Sequence, residues 1–94
     1  MEQEQLYAKV MGRVQGVGYR FFVVETAQRL GVCGWVRNRW DESVEVLAEG
    51  EREKLEKLLS ALHTGPRMAH VIQVQYDWVP ASGAFHSFQA RSTE

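Results

Sequence analysis

The residues with the clearest chemical potential form a glycine-rich run from Gly12 to Arg20. Its glycines, Gly12, Gly16 and Gly18, allow the backbone to bend so that several N–H groups can point towards one centre. Arg20 closes the run with a planar guanidinium, which can donate parallel hydrogen bonds to an oxyanion. This composition predicts a small anion cradle that suits a phosphate group.

The run is too short for a nucleotide-binding phosphate loop and lacks the lysine and the Ser/Thr hydroxyl of that motif. A single phosphate group is therefore a better ligand than a triphosphate. Arg20 stands at the start of a predicted helix, where the positive end of the helix dipole disfavours a cation. A bound anion would explain this placement, whereas the simpler alternative is an ordinary strand-to-helix connection with a surface arginine.

Hydrophobic periodicity predicts the elements around the run. A first strand is indicated by the alternation of Leu6, Ala8 and Val10, and a helix begins near Arg20 and ends at Gly31. The apolar face of that helix consists of Phe22, Val23, Ala27 and Leu30.

The rest of the chain continues with the same two patterns. Strands are predicted over 33–39 and 44–49, joined by the short turn Asp41-Glu42. A leucine stripe predicts a second helix that ends at Gly65-Pro66. A fourth strand is expected to place four residues on one face, and 87–91 is predicted as a short last strand. The four residues are Ile72, Val74, Tyr76 and Trp78.

The predicted order is β-α-β-β-α-β plus a short C-terminal strand, which is typical of the α+β, ferredoxin-like split βαβ sandwich. Both helices are expected to cover one face of an antiparallel sheet. The first two strands then run parallel with the third between them, so their C-terminal ends lie roughly 10 Å apart at one edge. One of these ends leads into the glycine-rich run and the other carries Asn38, so both could contact one small ligand.

Composition limits the possible classes of protein. The length of 94 residues predicts one domain over 1–94, and the net charge of −1 argues against a general nucleic-acid binder. The single cysteine, Cys33, favours a reducing compartment. The sequence has no apolar stretch of membrane-spanning length, and its polar start is unlike a signal peptide, so a cytoplasmic protein is expected.

Two motifs resemble those of the acylphosphatase family. The run Gly12-Arg13-Val14-Gln15-Gly16-Val17-Gly18-Tyr19-Arg20 matches the first. Gly34-Trp35-Val36-Arg37-Asn38, followed by Ser43-Val44-Glu45-Val46, matches the second. The resemblance extends from about Leu6 to Phe88 and departs from the family at the hairpin turn, where Asp41-Glu42 replaces the common Asp-Gly.

The resemblance implies hydrolysis of acyl phosphates to a carboxylate and inorganic phosphate, with phosphate also acting as a competitive inhibitor. Arg20 and Asn38 are the implied catalytic residues, with Asn38 orienting the attacking water. No metal, other cofactor, nucleic acid or membrane is implied, and a monomer is expected. The implied phosphate-binding residues are Gln15, Gly16, Val17, Gly18, Tyr19 and Arg20.

Other functions remain open from sequence alone. A non-catalytic phosphate- or anion-binding regulatory domain could retain the same cradle. A carbamoyl phosphate hydrolase domain is a related enzyme, although such domains usually belong to larger chains. RNA recognition motifs share the topology, but the acidic residues Glu45 and Glu49 on the third strand would repel a phosphate backbone. Arg37 and Arg39 are expected to face away from Asn38.

Overall fold

The secondary-structure elements follow in the predicted order, with the fifth strand present. The computed structural model describes residues 2–94. The elements are β1 (Gln3–Arg13), α1 (Tyr19–Leu30), β2 (Cys33–Asn38), β3 (Val44–Glu51), α2 (Arg52–Thr64), β4 (His70–Pro80) and β5 (Phe88–Arg91). Within the described residues, neither helix combines the length and the apolar character needed to cross a bilayer.

The strands form one sheet in the order β4-β1-β3-β2-β5. β1 pairs antiparallel with β3 and β4, and β2 pairs antiparallel with β3. The ferredoxin-like fold class is therefore confirmed. β5 pairs parallel with β2, so the complete sheet is mixed. Because β1 and β2 flank β3 in the same direction, their C-terminal ends lie at one edge of the sheet.

The core lies between the two helices and one face of the sheet. The central strands contribute alternate residues to it, since successive side chains of a strand point to opposite faces. α2 contributes its leucine stripe, and each fully buried leucine stabilises the fold by about 1.5–3 kcal/mol. The fully buried members of the core include Leu6, Ala8, Val10, Val23, Ala27, Val44, Val46, Ala48, Leu55, Leu58 and Leu62.

The predicted face of the fourth strand is wrong at Ile72, which is 73% exposed. Pairing between β1 and β4 shifts after Met11, so that Met11 lies opposite Gln73 and Gly12 lies opposite Val71. This bulge leaves Ile72 outside the alternation, and Val71 packs against the core instead. Gly12 permits the close approach, since a Cβ there would lie 2.2 Å from the backbone oxygen of His70.

Candidate active site

Two glycines give the loop between β1 and α1 its curvature. Gly16 and Gly18 have φ angles of 73° and 79°, in the left-handed region that other residues adopt only with strain. Gly18 is the N-cap of α1, and no side chain caps the helix. The first backbone bond of the helix runs from the N–H of Phe22 to the carbonyl of Gly18. The N–H groups of the first turn therefore have no intrahelical partner and can bind an anion.

This loop and the end of β2 enclose a cavity of about 190 Å³. It brings Arg20 and Asn38 together at the edge of the sheet, as the topology predicted. Its lining residues are Val14, Gly16, Gly18, Tyr19, Arg20, Phe21 and Asn38. A larger depression of about 520 Å³ lies elsewhere, but its charged lining residues are Glu2 and Glu4, so it does not suit a phosphate.

Arg20, the second residue of α1, supplies positive charge at this cavity. It is half-buried, and its Nη1 donates a long hydrogen bond of 3.4 Å to the backbone carbonyl of Arg91. Within residues 2–94 the Arg20 guanidinium forms no ion pair with a carboxylate. The first turn of α1 also contains no acidic residue. The helix end and Arg20 together thus present a positive charge that an anion can neutralise.

Asn38 is fixed through its backbone while its side chain stays available. It is the last residue of β2, opposite Val44 of β3, and its carbonyl accepts a hydrogen bond of 3.1 Å from the N–H of Glu94. The C-terminal tail thus lies beside the end of β2. Across the part of the chain that the structure describes, no protein group hydrogen-bonds the Asn38 side-chain amide. The amide can therefore bind a water or ligand in the cavity.

Three of the predicted phosphate-binding residues direct their side chains away from the cavity. The Gln15 amide bonds to the β2–β3 hairpin, and Val17 packs against the core. The Tyr19 ring is buried, and its hydroxyl donates to the carbonyl of Leu62 at 2.7 Å. Burial raises the pKa of this hydroxyl. Any contact of these three residues with phosphate is therefore made by the backbone.

The face of the sheet opposite the helices carries paired charges. The Nε of Arg37 donates to Glu45 at 2.6 Å, and Arg39 lies 3.7 Å from the same carboxylate. Both arginines therefore face away from Asn38, as predicted. Burial tends to raise the pKa of Glu45, but hydrogen bonds from Tyr7 and Arg37 outweigh it and lower that pKa. Glu45 thus compensates Arg37 and Arg39, whereas Arg91, on the same face, stacks on the Trp35 ring and forms no ion pair within residues 2–94.

The β2–β3 turn carries strain at the position where the sequence departs from the family. Glu42 has a φ of 76°, and its N–H donates to the carbonyl of Arg39 at 3.1 Å. This geometry is a tight turn followed by a left-handed residue, for which glycine is favoured. Asp41 supports the turn, and hydrogen bonds from Lys9 and Ser43 hold the pKa of its carboxyl well below the usual range.

We expect Glu42→Gly to stabilise the protein by about 1 kcal/mol, because a left-handed conformation costs a non-glycine residue roughly that amount. The melting temperature should rise by about 4–8 °C for a domain of this size. Activity should be nearly unchanged. Thermal unfolding followed by circular dichroism measures the effect. Glu42→Ala is the matched control, since it removes the same charge but keeps the Cβ. A melting temperature for Glu42→Gly at or below that of the native protein would contradict the interpretation.

Comparisons with known proteins identify the family of this chain. The acylphosphatase family profile matches residues 6–90. An acylphosphatase of Salinibacter ruber is 48% identical over 89 residues, covering 95% of this chain and 94% of the relative. The crystal structure of acylphosphatase from Bacillus subtilis superposes with a TM-score of 0.91 at 35% identity, covering 94% of this chain and 98% of that one.

The same fold also occurs within a larger protein. A phosphate- and nucleotide-bound structure of full-length HypF matches 99% of this chain with a TM-score of 0.89 at 25% identity, but only 12% of the HypF chain is covered. The stand-alone relatives, in contrast, are matched over nearly their whole length. With the family profile and these relatives in agreement, the chain belongs to the acylphosphatase family.

Proposed function

We propose that this chain is an acylphosphatase that acts as a single domain over residues 1–94. It hydrolyses the carboxyl–phosphate bond of an acyl phosphate to a carboxylate and inorganic phosphate. The observation that carries the proposal is one cavity in which the uncapped start of α1, Arg20 and Asn38 meet. Family membership supports the same reaction, which requires an anion cradle and an oriented water.

The phosphate is held mainly by backbone N–H groups of 15–20 and by the guanidinium of Arg20. The backbone donors are fixed by the left-handed glycines and the helix start, so they need little reorganisation during the reaction. Arg20 donates to two phosphate oxygens and offsets the charge of the transition state. Positioning and charge stabilisation are the main contributions that a protein makes to phosphoryl transfer.

Asn38 accepts a hydrogen bond from the attacking water through its side-chain carbonyl. The water oxygen forms a bond to phosphorus as the bond from phosphorus to the acyl oxygen breaks, and the carboxylate leaves with the electron pair. The protons of the water pass to the phosphate oxygens and to solvent. A carboxylate is a stable leaving group near neutral pH, so the step requires no general acid, metal or other cofactor.

We infer a cytoplasmic monomer that binds a small acyl phosphate and neither nucleic acid nor membrane. The cradle accepts the phosphate group of the substrate and of the product alike. Inorganic phosphate should therefore compete with the substrate.

The direct test is hydrolysis of benzoyl phosphate by the purified protein, with and without EDTA. We expect turnover that EDTA does not reduce, and inorganic phosphate should raise KM while leaving kcat unchanged. Single-turnover reactions in ¹⁸O-labelled water should place one ¹⁸O in the phosphate without a phosphorylated protein residue. Phosphate binding without turnover would instead indicate the non-catalytic anion-binding domain.

A further inference from the structure

The side chain of Gln15 makes a specific connection between the anion-binding loop and the β2–β3 hairpin. Its Nε2 donates to the backbone carbonyl of Arg39 and to that of Ser43, at 2.8 Å in each case. A primary amide has two N–H donors, so both are used by the hairpin and neither remains for a phosphate.

Backbone pairing between β1 and β3 ends before the tip of the hairpin. The last pair between β1 and β3 is Val10 with Val44, and the remaining residues of β1 pair only with β4. Beyond that pair, the turn is held by its own bond from the N–H of Arg39 to the carbonyl of Ser43, by Asp41, which binds Lys9 of β1, and by Glu94, whose carbonyl accepts from the N–H of Trp40. The Gln15 amide adds the connection from the anion-binding loop.

One of the two carbonyls belongs to the residue next to the proposed water-orienting residue, Asn38. Arg39 follows Asn38 directly, while Gln15 directly precedes Gly16, which lines the cavity. The shortest path from Gln15 to Asn38 therefore consists of one hydrogen bond, to the carbonyl of Arg39, and the backbone of Arg39. A movement of the hairpin tip would shift the Asn38 amide relative to the backbone donors that hold the phosphate.

We propose that the Gln15 side chain is a positioning group that fixes Asn38 relative to the anion-binding loop, and that it does not bind phosphate itself. This inference rests on the proposed function, since it assigns a residue to that reaction. Gln15 then affects the attack of water and leaves phosphate affinity to the backbone and to Arg20. The distinction is measurable because kcat reports on the attack of the water that Asn38 orients, whereas the inhibition constant for phosphate reports on the anion-binding loop and Arg20.

The test is a double-mutant cycle between Gln15→Met and Asn38→Ala, measured with benzoyl phosphate. Methionine has nearly the shape of glutamine but donates no hydrogen bond. We expect Gln15→Met to lower kcat roughly ten- to hundred-fold, the scale of an ångström-sized misplacement. The inhibition constant for inorganic phosphate should change less than about threefold. In the Asn38→Ala background, Gln15→Met should cause little further loss, since it acts through Asn38.

Several outcomes would overturn the inference without affecting the proposed function. They are independent, additive losses in the cycle, unchanged kcat in Gln15→Met, or a phosphate inhibition constant that rises in proportion to the loss in kcat. Absence of turnover in the native protein would refute the proposed function instead. If Gln15→Met unfolds, the cycle is measured with Gln15→Asn in the Glu42→Gly background. The shorter amide cannot reach both carbonyls, so a loss confined to kcat is again expected.

Discussion

Arg20→Ala is expected to lower kcat/KM for benzoyl phosphate by roughly 10³-fold, the lower end of the effect of an arginine that neutralises phosphoryl-transfer charge. The inhibition constant for inorganic phosphate should rise as well, because the guanidinium binds the ground-state phosphate as well as the transition state. Steady-state kinetics with phosphate as a competing ligand measures both effects. A lower kcat/KM together with a higher inhibition constant for phosphate would identify Arg20 as part of both the binding and the catalytic machinery.

Two further variants separate charge from geometry. Arg20→Lys keeps the positive charge but loses the planar pair of donors, so its activity should lie between those of Arg20→Ala and the native protein. Arg29→Ala removes the same charge from the last turn of the same helix, far from the cavity, and should leave kinetics unchanged. Native-like activity in Arg20→Ala, or equal losses in both alanine variants, would remove Arg20 from the proposed mechanism.

The stability of Arg20→Ala should remain close to that of the native protein. The Arg20 guanidinium makes only a long bond to a backbone carbonyl and no ion pair in residues 2–94. It also lies at the helix end where a cation is unfavourable, so its removal should relieve a small electrostatic cost. An unchanged or slightly higher melting temperature, together with lost activity, would show that Arg20 is retained for function.

Most of the site could be predicted because it depends on backbone conformation and topology. Gly16 and Gly18 have left-handed φ angles, which glycine adopts more readily than other residues. A sequence therefore indicates such bends by the positions of its glycines. The meeting of Arg20 with Asn38 follows from strand order alone. The strain at Glu42 was also predictable, since the turn type favours a glycine that the sequence lacks.

The remaining details depend on contacts between distant residues, which periodicity does not encode. The resemblance to the family implies that Gln15 binds phosphate, and this stays a prediction for its backbone N–H. The sequence gives no signal that its side chain bonds to a hairpin 24 and 28 residues further along the chain. The prediction for Ile72 is wrong for a similar reason. The shift in β1–β4 pairing at Gly12 changes the face of the sheet on which this residue lies. The docking of Glu94 beside Asn38 likewise gave no local signal.

Asn38→Ala should lower kcat for benzoyl phosphate by roughly 10²-fold, because the attacking water loses the group that orients it. The inhibition constant for inorganic phosphate should change less than about threefold, in contrast to Arg20→Ala. Since no protein group in residues 2–94 bonds the Asn38 amide, its loss leaves no internal partner unsatisfied. The melting temperature should therefore stay close to the native value.

Asn38→Asp provides the sharper comparison, since it has nearly the same shape but is ionised near neutral pH. A carboxylate beside the cradle repels the phosphate, so KM and the phosphate inhibition constant should both rise, and the increase should lessen as the pH falls and the group protonates. Gln75→Ala, which removes an exposed amide on β4, is the control and should leave kcat, KM and the phosphate inhibition constant unchanged. Full activity in Asn38→Ala would contradict the mechanism. If the phosphate inhibition constant of Asn38→Ala rises as steeply as that of Arg20→Ala, Asn38 is a phosphate ligand. The water would then have to be oriented by another group at the same cavity.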